Sequence, residues 1–76
     1  MSQKLSRPLI DLLYEAPESV VFLVQDAIRA VAADDWFRAS ALMNFAAEAH
    51  NARDGWFDMA GTCSDELRAI AKAKTA

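Results

Sequence analysis

The sequence has almost none of the residues that covalently or chemically stabilise a small chain. Cys63 is the only cysteine and His50 the only histidine among 76 residues. One cysteine cannot form an intrachain disulfide, and this pair cannot supply the four ligands of a structural zinc site. A chain of this length buries a small core and usually needs a disulfide, a metal or another subunit. The composition therefore predicts association with a second copy, as a homodimer.

Glycine and proline are also scarce, with two of each. An all-β chain needs a turn about every 8–12 residues, and four such residues cannot provide them. Alanine is abundant instead, with sixteen copies, and it is the best helix former. These proportions predict an all-α protein.

An excess of positive charge is missing too. The chain carries 8 Lys and Arg against 11 Asp and Glu, a net charge of −3. This mild acidity argues against a protein that binds nucleic acid by neutralising phosphates. The longest apolar run, residues 20–24, is far shorter than the ~18 residues that span a bilayer, and no apolar signal segment follows the N-terminus. With its lone free thiol, the chain is expected in the cytoplasm, without membrane association.

No pattern of catalytic or cofactor-binding residues is present. The acidic pairs fall at predicted helix ends, where capping and the helix dipole account for them. These pairs are Glu15/Glu18, Asp34/Asp35 and Asp65/Glu66. No glycine-rich phosphate loop occurs, and no spacing places Ser, His and Asp as nucleophile, base and orienting group. The sequence predicts a non-enzymatic protein without a catalytic residue, a cofactor or a metal.

The periodicity predicts one helical domain over residues 1–76, with residues 1–6 frayed. A short helix over residues 7–14 is expected, with Ser6 as its N-cap. Pro17 suits the first turn of a second helix, whose apolar face continues at helical spacing to Val31. The acidic pair Asp34-Asp35 forms the hinge to a third helix, and so short a link predicts antiparallel packing. The expected architecture is a small three- to four-helix bundle built on an antiparallel helical hairpin.

The third predicted helix, residues 35–53, carries apolar residues on two sides. An alanine-rich stripe suits packing inside the monomer, and it contains Ala39, Leu42, Phe45, Ala46 and Ala49. A second stripe contains Trp36, Met43, Ala47 and His50. Trp and Met are enriched in interfaces, so the second stripe is a candidate intermolecular seam. The alternative is that the C-terminal helix covers it.

The last segment begins with the turn signal Asp54-Gly55, where Gly55 suits a left-handed conformation. Apolar residues then repeat at helical spacing and favour one helix over residues 55–74. A break near Gly61 is the alternative, because glycine inside a helix costs about 1 kcal/mol.

The functional prediction depends on a surplus of large apolar side chains. Phe22 projects from the polar face of its helix, where it is either covered by the first helix, exposed without a role, or an anchor for a partner. The predicted protein-interface residues are Phe22, Trp36, Phe37, Met43, Ala47, His50, Trp56 and Phe57. They predict an interaction module that binds and modulates an unidentified protein. The alternatives are a small helix-turn-helix transcriptional regulator and a pocket for an apolar ligand.

Overall fold

A computed structural model of the chain describes residues 5–75, and these form an all-α bundle of four helices. The elements are α1 (Leu9–Tyr14), a single 3₁₀ turn (Glu18–Val20), α2 (Val21–Ala32), α3 (Trp36–His50) and α4 (Gly55–Thr75). No strand occurs within this part of the chain. The predicted fold class is confirmed, including the hairpin formed by α2 and α3.

The first helix starts later than predicted, because Pro8 occupies the N-cap position in an extended conformation. Ser6 does not cap α1. Its N–H and its Oγ both donate to Oε1 of Glu66 on α4, each at 3.1 Å. Leu5 packs against the core. The prediction that residues 1–6 are frayed is therefore wrong for Leu5 and Ser6. The rest of the segment predicted to be frayed, residues 1–4, lies outside the described residues.

The turn between α2 and α3 gives its two aspartates different roles. Asp34 adopts the left-handed conformation, with φ 61°, which aspartate tolerates better than most residues. Its N–H donates to the carbonyl of Val31, which satisfies one free carbonyl at the end of α2. Asp35 is the N-cap of α3, and its carboxylate accepts from the Arg38 N–H at 3.2 Å.

The turn between α3 and α4 also differs from the prediction at one position. Asn51, with φ 57°, takes the left-handed conformation expected for Gly55, and Gly55 is instead the first residue of α4. Asp54 caps α4 by accepting from the Phe57 N–H at 3.0 Å. The helix then runs without interruption through Gly61, which confirms the continuous helix over the alternative of a break.

The most extensive packing joins α3 and α4 as antiparallel neighbours. Ser40 and Ser64 are hydrogen-bonded near the middle of the pair, and the rings of His50 and Trp56 meet at one end. The buried interior between the helices is rich in small side chains. Its most buried apolar members on these two helices are Ala39, Met43, Ala46, Ala60 and Leu67. Small residues let helix axes approach closely, so the alanine content is used for packing as well as for helix formation.

The first helix is fastened to the bundle by Trp56. The indole N–H of Trp56 donates to the carbonyl of Leu12 at 3.0 Å, and Leu12 itself is fully buried. This bond satisfies one of the carbonyls at the end of α1 that has no partner inside the helix. Within the described chain, no buried side-chain nitrogen or oxygen lacks a hydrogen-bond partner.

Candidate interaction surface

The outer side of α3 carries an exposed row of apolar residues at four-residue spacing. We call this row, Phe37, Ala41, Phe45 and Ala49, the α3 ridge. Phe37 is 49% exposed and Phe45 is 65% exposed, and both alanines are exposed. Each four-residue step turns the helix by about 40° and rises about 6 Å, so the ridge crosses the helix obliquely over about 18 Å. It alternates large and small side chains along a surface that faces solvent.

A second exposed aromatic lies on α2. Phe22 is 76% exposed, so the short first helix does not cover it. On α1, Ile10 and Tyr14 are exposed at one-turn spacing, with Tyr14 at 85%. Single exposed apolar residues are normal on a small protein. Together with the α3 ridge, however, they give every one of the first three helices an outward-facing large apolar side chain.

Three of the predicted interface residues lie inside the bundle instead. Met43 is fully buried, Ala47 is 4% exposed and Trp56 is 6% exposed. Met43 and Ala47 are covered because α4 packs along this side of α3, which is the alternative arrangement for the second stripe. The assignment of Met43 and Ala47 to an intermolecular seam is therefore wrong, and Trp56, on α4, is a buried residue and not an exposed interface residue.

Trp36, also predicted to be at the interface, is half-buried and contacts Asp34 before α3 and Lys74 at the end of α4. Its indole N–H donates to Oδ1 of Asp34, and the Lys74 ammonium lies 5.5 Å from the ring centroid. Lys74 Nζ also lies 3.5 Å from the Asp34 carboxylate. The indole hydrogen bond, followed by the Lys74 charge, lowers the pKa of Asp34 below its ordinary value. These contacts tie the end of α4 to the start of α3.

His50 is likewise a packed residue at the end of α3. Its Nε2 lies 2.8 Å from Oδ2 of Asp54, and its ring meets Trp56 edge-on with centroids 5.5 Å apart. The hydrogen bond from His50, followed by that from the Phe57 N–H, lowers the pKa of Asp54. The arrangement closes the turn between α3 and α4. It acts as a structural clamp between the end of α3 and the start of α4.

Phe57 is half-buried, and the Arg53 guanidinium lies over its ring. The distance from Cζ of Arg53 to the ring centroid is 4.6 Å, within the range of a cation–π contact. Glu48, Asn51 and Ala52 complete a shallow depression around this pair. Phe57 is therefore only partly accessible to a partner.

Two further recesses border the first helix. One is an apolar groove of about 250 Å³ between the start of the chain, α1 and α2, lined by Leu5, Leu9, Ile10, Ile28 and Val31. The other, of about 240 Å³, is lined by Ser6 and Arg7 on one side and by residues of α4 on the other, including Cys63. Burial, followed by the charge of Glu66, raises the pKa of the Cys63 thiol to about 12. Cys63 is thus a small core residue and not an activated thiol.

The side chains available for chemistry are dispersed. Within residues 5–75, no group of three or more His, Cys, Asp and Glu side chains is close enough to hold a metal ion. None of the helices in this range is both long and apolar enough to cross a bilayer.

Two residues of α3 lie on sides that their polarity does not indicate. Phe45 belongs to the alanine-rich stripe expected to pack inside the monomer, yet it lies on the exposed α3 ridge. Ser40 is polar, yet it is 2% exposed and bonded to α4. A helix with apolar residues on most of its circumference has no single pattern that selects the buried side. The Phe-Ala-Phe-Ala spacing was the available signal for the ridge.

Comparisons with known proteins leave the chain without a family assignment. A scan against protein-family models found no match, and searches of curated proteins and of solved structures found no significant match either.

Proposed function

We propose that this chain is a non-enzymatic protein-interaction module, homodimeric in solution, that binds and modulates a partner protein through aromatic side chains on its helices. The observation that carries the proposal is the exposure of Phe22, Phe37 and Phe45. The buried core, from Leu9 to Leu67, does not include them. Three phenylalanines that contribute nothing to the core are therefore free to contact another molecule.

The chemistry of these side chains favours a protein partner. Aromatic residues are enriched at the centres of protein interfaces, where they bury a large area with few rotatable bonds. Phe22 is the strongest single anchor candidate, because it is the most exposed of the three phenylalanines, at 76%.

The competing hypothesis of a helix-turn-helix DNA-binding protein draws less support. The three-residue connection between α2 and α3 is short enough for such a motif. The exposed side of α3, however, carries Arg38 and Glu48, whose charges cancel, beside two phenylalanines. A recognition helix needs basic and hydrogen-bonding side chains aimed at the major groove.

The proposal is tested with Phe22→Ala and a matched control, Ser19→Ala, an exposed residue one turn earlier. Both changes are at the surface, so we expect stability to stay within about 0.5 kcal/mol of wild type, checked by thermal unfolding. The tagged variants are used to capture proteins from the native cell extract, followed by quantitative mass spectrometry. A protein retained by wild type and by Ser19→Ala, but lost from Phe22→Ala, is the expected result. Identical sets for all three would refute the role of Phe22.

A direct measurement then follows with the purified partner. Truncating an anchor aromatic at the centre of an interface is expected to weaken binding by about tenfold or more. Binding of duplex DNA with a strong salt dependence, and without a protein partner, would favour the regulator instead.

A further inference from the structure

The order of large and small side chains along the α3 ridge is complementary to the same order read in reverse. Met43 lies midway between its ends. Turning the helix end over end about the level of Met43 brings Phe37 to the level of Ala49 and Ala41 to the level of Phe45. Every large side chain of one copy therefore faces a small side chain of the other.

This match has a geometry that helices commonly adopt. When two helices cross at about −50°, their rows of residues at four-residue spacing run in the same direction. Two antiparallel copies of α3 crossing in this way would lay one α3 ridge along the other. A two-fold axis at the level of Met43 would relate them, as in the isologous interfaces of symmetric dimers. Each phenylalanine would then occupy the gap above an alanine.

We infer that the α3 ridge is the self-association surface of this protein, with a second copy of the chain bound antiparallel and Phe45 of each copy seated against Ala41 of the other. The occupant follows from the reversal symmetry, because an antiparallel second copy offers a small side chain opposite each large side chain of the α3 ridge. The second copy is one partner of the interaction module, so the inference rests on the proposed function. Phe22 lies on α2, outside the ridge, and stays available to a different partner.

The size of the surface sets the expected strength. Contact along about 18 Å of one helix lies at the small end of specific interfaces, which corresponds to a weak dimer. Sedimentation equilibrium between about 5 and 500 µM covers the dissociation constants expected for such a contact. The average mass of the wild type should rise from the chain mass of 8.4 kDa toward twice that value. A constant 8.4 kDa would overturn the inference.

The pairing itself is tested by exchanging the two central side chains. Phe45→Ala leaves alanine against alanine, and Ala41→Phe sets phenylalanine against phenylalanine, so each variant alone should dimerise at least about tenfold more weakly. A mixture of the two variants restores one phenylalanine and one alanine at both central contacts, and should form heterodimers close to wild-type strength. The double variant A41F/F45A should recover as a homodimer for the same reason.

If the chains associated through non-specific apolar contact, Ala41→Phe would strengthen dimerisation, because the variant adds apolar surface. That outcome, or a mixture that fails to recover, overturns the inference. Phe22→Ala is the matched control and should dimerise like wild type. Far-ultraviolet circular dichroism confirms that each variant is folded. A monomeric wild type that still loses a partner protein on Phe22→Ala would refute the self-association surface and the homodimeric part of the proposed function, and would leave the binding of a partner protein through Phe22 intact.

Discussion

Ser40 and Ser64 hydrogen-bond each other reciprocally across the α3–α4 contact. The hydroxyl of Ser40 donates to the backbone carbonyl of Ser64, and the hydroxyl of Ser64 donates to the carbonyl of Ser40, both at 3.0 Å. Both residues are almost fully buried, at 2% and 3% exposure. The pair lets two helices approach closely while every polar side-chain atom at the contact is satisfied.

The pair predicts a graded response to side-chain size at position 40. Ser40→Ala removes one buried hydrogen bond and should lower the free energy of unfolding by about 1 kcal/mol. Ser40→Leu also forces a larger side chain into the closest part of the contact, which typically costs a further 1–3 kcal/mol, roughly. Urea unfolding followed by circular dichroism measures both. The exposed Ser19→Ala is the control, and a Ser40→Leu variant as stable as wild type would contradict the close approach.

The two faces of α3 should differ sharply in their effect on stability. Met43 is fully buried, so Met43→Ala should cost about 2–5 kcal/mol through lost contacts and the cavity left behind. Phe45 is exposed, and Phe45→Ala should stay within about 0.5 kcal/mol of wild type at concentrations where the chain is monomeric. Chemical unfolding curves at low protein concentration compare the two. Equal losses would mean that α3 is rotated relative to the fold described above.

The clamp at the start of α4 predicts a pH dependence. Bonds from His50 and the Phe57 N–H hold the pKa of Asp54 below 3.8, its ordinary value. Since the folded pKa is the lower one, this carboxylate contributes stability that is present above the unfolded pKa and is lost as the pH falls through the folded pKa. Asp54→Ser keeps a helix cap but removes the charge.

The melting temperatures of wild type and Asp54→Ser, measured from about pH 7 to about pH 2, test this. We expect the wild type to melt higher at neutral pH and the gap to close in acid. A gap that does not change with pH would show that the carboxylate charge has no role at this turn.

Burial of Cys63 predicts slow chemical modification in the folded state. With a pKa raised to about 12, the thiolate fraction near pH 8 falls on the order of 10³-fold below that of an ordinary cysteine, and steric exclusion adds to this. Labelling with a chromogenic disulfide reagent should be rapid in urea and slow without it. Rapid labelling of the folded chain would show that the recess beside α1 opens readily.

The helices and their order could be predicted from sequence, because the signals for them are local. The Asp34-Asp35 pair and the alanine content act within a few residues of where they stand, and both marked a real boundary or real helices. Pro17 was expected in the first turn of the second helix, but it precedes a separate 3₁₀ turn and α2 begins only at Val21. The caps were less accurate. Asp34 and Asp35 are chemically the same, and which one turns left-handed depends on how α3 packs, so their order along the chain does not decide it.

The surface was harder to predict, since it depends on which neighbour covers each side of α3. Met43 and Trp56 looked like interface residues because they are large and apolar, and only the position of α4 places them inside. Phe45 was expected to pack inside the monomer, but no neighbouring helix in the described part of the chain covers its side of α3 and it is exposed. Ser40 could not be identified as buried without Ser64, which stands on another helix.

The short connection between α3 and α4 has a consequence for folding speed. Only four residues, 51–54, separate two helices that make the largest contact in the molecule, and loops of this size close in well under a microsecond, roughly. Proteins dominated by contacts between neighbouring segments fold fastest. The transition state should therefore contain this helical pair already docked at its serines, with the first helix joining last through the Trp56 indole.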